Sequence, residues 1–158
     1  MKHGNISFEK IDDQLNIYKQ RSIEELKKVE PKWACGKYVN KLYDGELHPK
    51  RNEYTIFLVK TSEIISNAEF AEVDINALFT GNSKNDFRIT RLLYRWENNF
   101  FVDPPTLGLC SYENKKLSFS DGRHRTKLSY LLGYQKIPIA IANDKIQEFR
   151  SYIQLMSV

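Results

Sequence analysis

Ser120-Asp121-Gly122-Arg123-His124-Arg125-Thr126-Lys127-Leu128-Ser129 is the stretch on which the reading of this chain turns. Behind it lies Lys116-Leu117-Ser118-Phe119, short and alternating like a strand. Ahead of it, Leu128-Ser129-Tyr130-Leu131-Leu132 has the apolar spacing of a helix. A polar turn with one glycine therefore hands a strand over to a helix, and Arg123, His124 and Arg125 fall in the first helical turn. That turn exposes unpaired backbone N–H groups and the positive end of the helix dipole, so helices ordinarily carry Asp or Glu there. Two arginines at this place oppose the dipole unless an anion lies over them, which makes the turn a candidate phosphate site. Gly122 would let the backbone come close to a ligand, and Arg123 and Arg125 offer forked donors to phosphate oxygens. His124 can donate one hydrogen bond and titrates near neutral pH, while Thr126 and Ser129 add hydroxyls. The same residues admit a plainer account, in which Asp121 pairs with Arg123 or Arg125 and His124 is a hydrogen-bonded structural residue.

Downstream, Leu131-Leu132-Gly133-Tyr134-Gln135-Lys136-Ile137-Pro138-Ile139-Ala140 reads as a helix end, a glycine cap and a strand. Upstream, Asp103-Pro104-Pro105-Thr106-Leu107 precedes a hairpin. In this order and spacing the pieces resemble the core of the ParB/sulfiredoxin superfamily, the ParB-like nuclease domain. That family shows a Gly-x-x-Arg or Gly-x-His-Arg turn, a short helix ending in Leu-Gly, a strand opening with Ile-Pro, and a proline pair upstream. The resemblance runs from about Tyr54 to Ala142 and is best over residues 101–142. It implies an α+β fold: a small mixed β-sheet surrounded by helices, here with an N-terminal helical extension. It also implies that Asp103-Pro104-Pro105-Thr106 lines the ligand pocket, with Thr106 giving a hydroxyl; equally, the proline pair does no more than orient the chain. In sulfiredoxins the residue two before the final Arg of the turn is the catalytic cysteine. Arg123 stands there, so sulfinic-acid repair is not expected. In partition-type ParB proteins the turn reads Gly-Glu-Arg-Arg and binds a nucleoside triphosphate. Here Arg123 replaces the Glu and His124 an Arg, and nothing after Ala142 reads as a helix-turn-helix, so a complete partition protein is not expected.

The chain has 158 residues, enough for one domain or a domain with an appendage. Residues 1–48 are expected as a helical extension packed on a core of residues 49–158, which ends in a helix. Hydrophobic residues make up 41% and aromatic residues 13%, a globular composition. Twenty-four Lys and Arg against 20 Asp and Glu leave a formal charge of +4, which allows an anionic partner without requiring one. Cys35 and Cys110 lie far apart outside any Cys-x-x-Cys motif, so reduced, partly buried thiols are expected and a zinc site is not. No apolar run approaches the ~18 residues of a membrane span, and a cytoplasmic protein is expected. His3 and His48 belong to no motif.

Along the chain, Ser7 to Glu30 is predicted as one helix, with Phe8, Ile11, Leu15, Tyr18, Ile23, Leu26 and Val29 on its apolar face and Pro31 ending it. A short helix or turn follows from Ala34 to Tyr43, broken at Asp44-Gly45. Strands are predicted at Glu53–Lys60, Phe70–Ile75, Thr106–Tyr112, Lys115–Phe119 and Lys136–Ala142. Asn114 is expected at the left-handed position of the hairpin turn, and Pro138 suggests an edge or a strand opening. Helices are predicted at Thr61–Ile65, Lys84–Phe100, Gly122–Leu132 and from Asn143 or Asp144 to Met156. In Lys84–Phe100, Ile89, Leu92, Leu93, Trp96 and Phe100 share one face. Lys84, Arg88, Arg91 and Arg95 fall within roughly 60° of one another at ~100° per residue, a basic stripe. It is either a solvated face or a track for a polyanion.

These readings lead to a domain that binds a nucleotide or a DNA backbone. Arg123, His124 and Arg125 would hold phosphate, helped by Gly122, Thr106 and Thr126, and the stripe Lys84, Arg88, Arg91 and Arg95 would extend the positive field. A nucleoside triphosphate with Mg²⁺ is the cofactor that this implies, and plasmids, phages and other bacterial mobile elements are where the family often occurs. A second class of function is an immunity or inhibitor protein that binds another protein through its N-terminal helix. A third is a metal-dependent DNase or NTPase, with Asp121 as metal ligand and Asp121 and His124 as catalytic groups. Such a site wants further carboxylates, for which Asp103 and Glu97 are candidates. Tyr94, Trp96, Tyr112 and Tyr130 either stack on a base or belong to core and rim.

Overall fold

The computed structural model describes residues 6–44 and 50–158. His3, Gly45, His48 and the boundary expected after residue 48 lie outside them. The architecture is mixed α+β. A five-stranded sheet has the order β3-β2-β4-β1-β5, built from β1 (Tyr54–Lys60), β2 (Thr106–Tyr112), β3 (Lys115–Asp121), β4 (Lys136–Ala142) and β5 (Met156–Ser157). The sheet is mixed because β2 and β4 run parallel while every other pair is antiparallel. Period-two patterning explains the two middle strands. Ile137, Ile139 and Ile141 alternate onto one face of β4 and enter the same hydrophobic cluster as Val59, Leu107, Leu117 and Phe119. That cluster is closed by Ile64 of α3 (Thr61–Asn67) and Phe149 of α6 (Ile146–Phe149).

A second cluster joins the helices. Tyr18 of α1 (Phe8–Gln20) and Leu26 of α2 (Ile23–Leu26) pack with Ile89, Leu92, Leu93 and Trp96 of α4 (Ser83–Glu97) and with Leu128 of α5 (Arg123–Leu131). The 3.6-residue spacing of the α4 residues turns them all inward. Burying each is worth about 1.5–3 kcal/mol, which leaves the opposite face to the basic stripe. The start of α4 is fixed by Asn82, whose side chain accepts from the Asn85 N–H.

Several elements differ from the pattern reading. The helix expected from Ser7 to Glu30 is two helices, because Ser22 and Glu25 form a reciprocal capping box that restarts the chain. The helix from Lys84 ends at Glu97, not Phe100; Asn99 takes a left-handed conformation and turns the chain away. Residues 70–75 are not a strand. The Glu69 carboxylate accepts from the Ala71 N–H and the Asp74 carboxylate from the Asn76 N–H, local bonds that replace a ladder. In the β2–β3 hairpin the left-handed residue is Glu113, not Asn114. Pro138 sits in a mid-sheet strand, but β2 registers with β4 at Thr106↔Ala140 alone, so no ladder bond to β2 is lost at the proline. The last helix stops at Phe149, and Met156–Ser157 adds to the free side of β1 instead.

Candidate functional site: a cationic cleft between α4 and the start of α5

The strand-to-helix turn at residues 120–123 is built on a bulge. Thr106 pairs with Asp121 but Leu107 pairs with Phe119, so Ser120 is an extra residue on β3. In an unbroken ladder Asp121 would share the inward face of Leu117 and Phe119, and the bulge breaks that alternation. With it, the Asp121 side chain is 76% exposed. Gly122 follows at φ 102°, a conformation that L side chains rarely adopt. A Cβ there would lie 2.5 Å from the Pro105 Cβ. The clearance expected for a ligand is therefore filled by the protein itself: the missing side chain lets the proline pair pack on the turn. Pro105 in turn accepts the Ala140 N–H through its carbonyl, at 2.8 Å. Proline suits this place because its nitrogen has no hydrogen to satisfy.

Arg125 ties these pieces together. Its guanidinium donates to the Asp103 carbonyl and pairs with Asp121 at 2.6 Å, and its side chain is 13% exposed. The fork expected for phosphate is committed within the protein, and Arg125 acts as a positioning residue for the turn. Asp103 is held in addition by Arg51, which also donates to the Ala34 carbonyl. Thr126 corrects the expectation more sharply. It is fully buried, and its hydroxyl donates to the Gly122 carbonyl at 3.0 Å, so it faces the helix and not a ligand. Ser129 likewise donates to the Arg125 carbonyl. Thr106 lies in a neighbouring slot with Arg51, Tyr54 and Asp103, on the far side of Ser120 and Asp121.

On the near side of that turn opens a cleft of about 460 Å³. Lys84, Arg88, Arg91 and Arg95 of α4 form one wall, and Ser120 to Arg125 with Glu72 and Val73 form the other. The basic stripe and the Gly-Arg-His-Arg turn, some 30 residues apart in sequence, thus face one cavity. Packing of α5 on α4 through Leu128, Leu92 and Leu93 brings them together. Among the described residues, six side chains with fixed positive charge line the cleft against two carboxylates, Glu72 and Asp121. Among the described residues, Lys84, Arg88, Arg91 and Arg123 make no ion pair. The Arg123 Nε is buried without a hydrogen-bond partner. Arg95 lies over the Tyr43 ring at 3.8 Å from its centroid.

The electrostatics follow from this crowding. His124 is partly buried, and its pKa is pushed down to about 4, by burial first and then by Arg88, Lys127 and Lys84, with Glu72 opposing. At neutral pH it is a neutral imidazole. Arg95 is lowered from its ordinary value by burial first, then by Arg91 and Arg125, with Tyr43 and Asp44 opposing. Glu72 is lowered by its own backbone N–H and by Arg123, Lys84 and His124, although desolvation works against this. Beneath the floor, Lys127 is fully buried and donates to Asn85 Oδ1 at 2.7 Å. Asn85 donates to the buried Asp86 carboxylate, which also accepts from the Thr80 and Gly81 N–H groups. Burial opposes ionisation of Asp86, but these bonds and Lys19 hold its carboxyl below the usual range. This network pins the start of α4, the loop before it and α5 to one another. No pattern in the sequence marks it, since a lysine in the second turn of a helix is ordinarily exposed.

The carboxylates considered with Asp121 are dispersed. Glu97 pairs with Arg21 and accepts from Tyr18, and Asp103 pairs with Arg51. Among the described residues no three His, Cys, Asp or Glu side chains come together as a metal site would need. The donor set of the cleft suits phosphate oxygens and not a protein-held cation. Of the aromatics, Trp96 is fully buried with its indole N–H on the Lys32 carbonyl, and Tyr112 and Tyr130 are exposed outside the cleft. No described helix is long and apolar enough to cross a membrane. No protein-family model, no curated protein and no solved structure matches the chain.

Proposed function

We propose that this protein binds a phosphate-bearing ligand, a nucleotide or a nucleic-acid backbone, in the cleft between α4 and the start of α5. The observation that carries this reading is the convergence of six cationic side chains from two distant segments on one cavity, four of them without an ion pair among the described residues. Holding like charges together costs electrostatic energy that an anion would offset. Arg123 lines the cleft without an ion pair among the described residues, so its guanidinium keeps charge that an anion would offset. A ParB/sulfiredoxin-like core remains the fold reading that the Asp-Gly-Arg-His-Arg turn, the proline pair and the Ile-Pro strand favour. An inhibitor that acts through its N-terminal helix is less favoured, because α1 packs on α4 through Tyr18 and the cleft stands open. A metal-dependent nuclease or NTPase is also less favoured, because Asp121 is paired with Arg125.

Inorganic triphosphate, titrated calorimetrically at low salt into the wild type and an Arg88→Gln/Arg91→Gln double variant, tests the proposal. Binding by the wild type that weakens at least tenfold in the variant is expected. Equal binding by both proteins, or by neither, would overturn it.

A further inference from the structure

Resting on that reading, we infer that the natural ligand is a single nucleic-acid strand, gripped by its backbone along α4, and not a mononucleotide. The first reason is length. Lys84, Arg88, Arg91 and Arg95 occupy one face of α4 over eleven residue steps, and ~1.5 Å of rise per residue makes that roughly 16 Å. At ~3.4 Å of rise per nucleotide, this matches about four or five nucleotides of a stacked strand. A triphosphate reaches one end of such a row.

The charge also divides into two groups. His124 feels Lys84 and Arg88, together with Lys127 and Glu72. Arg95 feels Arg91 and Arg125. The row itself runs along α4 within the cleft lining, so the cationic field is distributed along the cleft and not gathered at one phosphate pocket. The start of α5 faces this row from the opposite wall, so the ligand is approached from two sides.

The lining chemistry sets the specificity. Among the described residues no Phe, Tyr or Trp lines the cleft, which leaves bases no stacking platform there. The exposed donors are guanidinium and ammonium groups, which suit phosphate oxygens and carry no base information. Binding is expected to be independent of sequence and strongly salt-dependent. With Lys84, Arg88, Arg91 and Arg123 each neutralising one phosphate, log K against log salt should fall with a slope of about −3, since a single strand contributes roughly −0.7 per contact. Between 50 and 200 mM salt that is a loss of about fiftyfold.

The experiment is a fluorescence-anisotropy and calorimetry series on the full chain. The probes are oligo-dT of two, six and ten nucleotides, oligo-rU of ten, a ten-base-pair duplex, ATP, CTP and inorganic triphosphate. The inference expects affinity to rise at least tenfold from two to six nucleotides and then to level off. It expects the ten-mer to exceed each nucleoside triphosphate at least tenfold, and the duplex to bind more weakly than the strand. Oligo-dT and oligo-rU separate the two sources of the same backbone, and either one behaving this way supports it. The Arg88→Gln/Arg91→Gln variant should flatten the salt slope by about 1.4, while Lys10→Gln on the exposed side of α1 should leave it unchanged. Triphosphates that bind as tightly as the ten-mer would overturn the strand inference and leave the phosphate site standing. A duplex that binds more tightly than the strand would also overturn it. Failure of every probe at low salt would overturn the phosphate reading itself.

Discussion

Filling the cleft with an anion should return a proton to His124, which makes binding tighter in acid. In the free protein the imidazole is held at a pKa of about 4, by burial and by Arg88, Lys127 and Lys84. A phosphate within hydrogen-bond reach is an opposite charge of the kind that raises a pKa by about one to three units. Taking about two units puts the bound pKa near 6. The affinity then scales with the ratio of proton-binding polynomials of the bound and free states, roughly 11/1.1 at pH 5 and close to 1 at pH 8, an increase of about tenfold. A thymidine oligonucleotide is a suitable probe, because neither its diesters nor its bases titrate between pH 5 and 8. Calorimetry in two buffers of different ionisation enthalpy would measure the proton uptake directly. His124→Gln keeps a hydrogen-bond donor without the titration and should give a flat profile. The imidazole shifts of His124 in the free protein supply an independent check. A free-state pKa near the ordinary 6.5, or a wild-type affinity profile as flat as that of His124→Gln, would refute the reasoning.

The same group has a consequence for stability. Its folded pKa lies below its unfolded value of about 6.5, so the unfolded chain takes up a proton that the fold excludes. Stability should be full above pH 6.5 and fall as the pH drops toward 4; Tm at pH 5 should lie below Tm at pH 7 by more in the wild type than in His124→Gln. Gly122→Ala combines a disfavoured φ, costing about 1–2 kcal/mol, with a collision against Pro105, costing about 1–3 kcal/mol, so urea denaturation should show a loss of about 3 kcal/mol. Arg125→Gln removes a charged hydrogen bond that holds the proline turn and should cost about 2 kcal/mol, while Arg91→Gln, which carries no ion pair, should cost less than about 0.5 kcal/mol yet weaken ligand binding. Asp121→Asn should change stability by less than about 1 kcal/mol and tighten phosphate binding, because one of the two carboxylates facing the cleft is lost; weakened binding would instead favour a metal-holding role.

Much of the fold was legible wherever one residue's neighbours suffice to decide its state. The alternation of Ile137, Ile139 and Ile141, the apolar face of α4 and the Gly133 terminator are local signals, and each appears where its pattern puts it. The basic stripe was legible for the same reason, since four cations at helical spacing must share a face. The misread boundaries came from competing short-range bonds. Ser22 with Glu25 breaks a continuous apolar pattern, and Asn99 ends α4 one turn before Phe100. The first of these was visible in the sequence as Ser-x-x-Glu, a signal that hydrophobic periodicity overrides when read alone.

What the sequence by itself determined is the chemistry: a strand handed to a helix through Asp-Gly-Arg-His-Arg, and a cationic face on the preceding long helix. What only the tertiary structure decided is which of those residues are at liberty to act. Arg123 and Arg125 are two residues apart and alike in the sequence. One keeps an unpartnered donor, while the other is committed to Asp121 and to the Asp103 carbonyl, because the proline turn folds against Gly122. Thr126 faces inward, and Asp121 faces outward only through the extra residue at Ser120. The Asp121 and Gly122 partners are one helical turn away, but the Asp103 carbonyl and Pro105 lie some 20 positions back in the chain, and packing of α5 on the proline turn and the hairpin closes that distance, not any local preference.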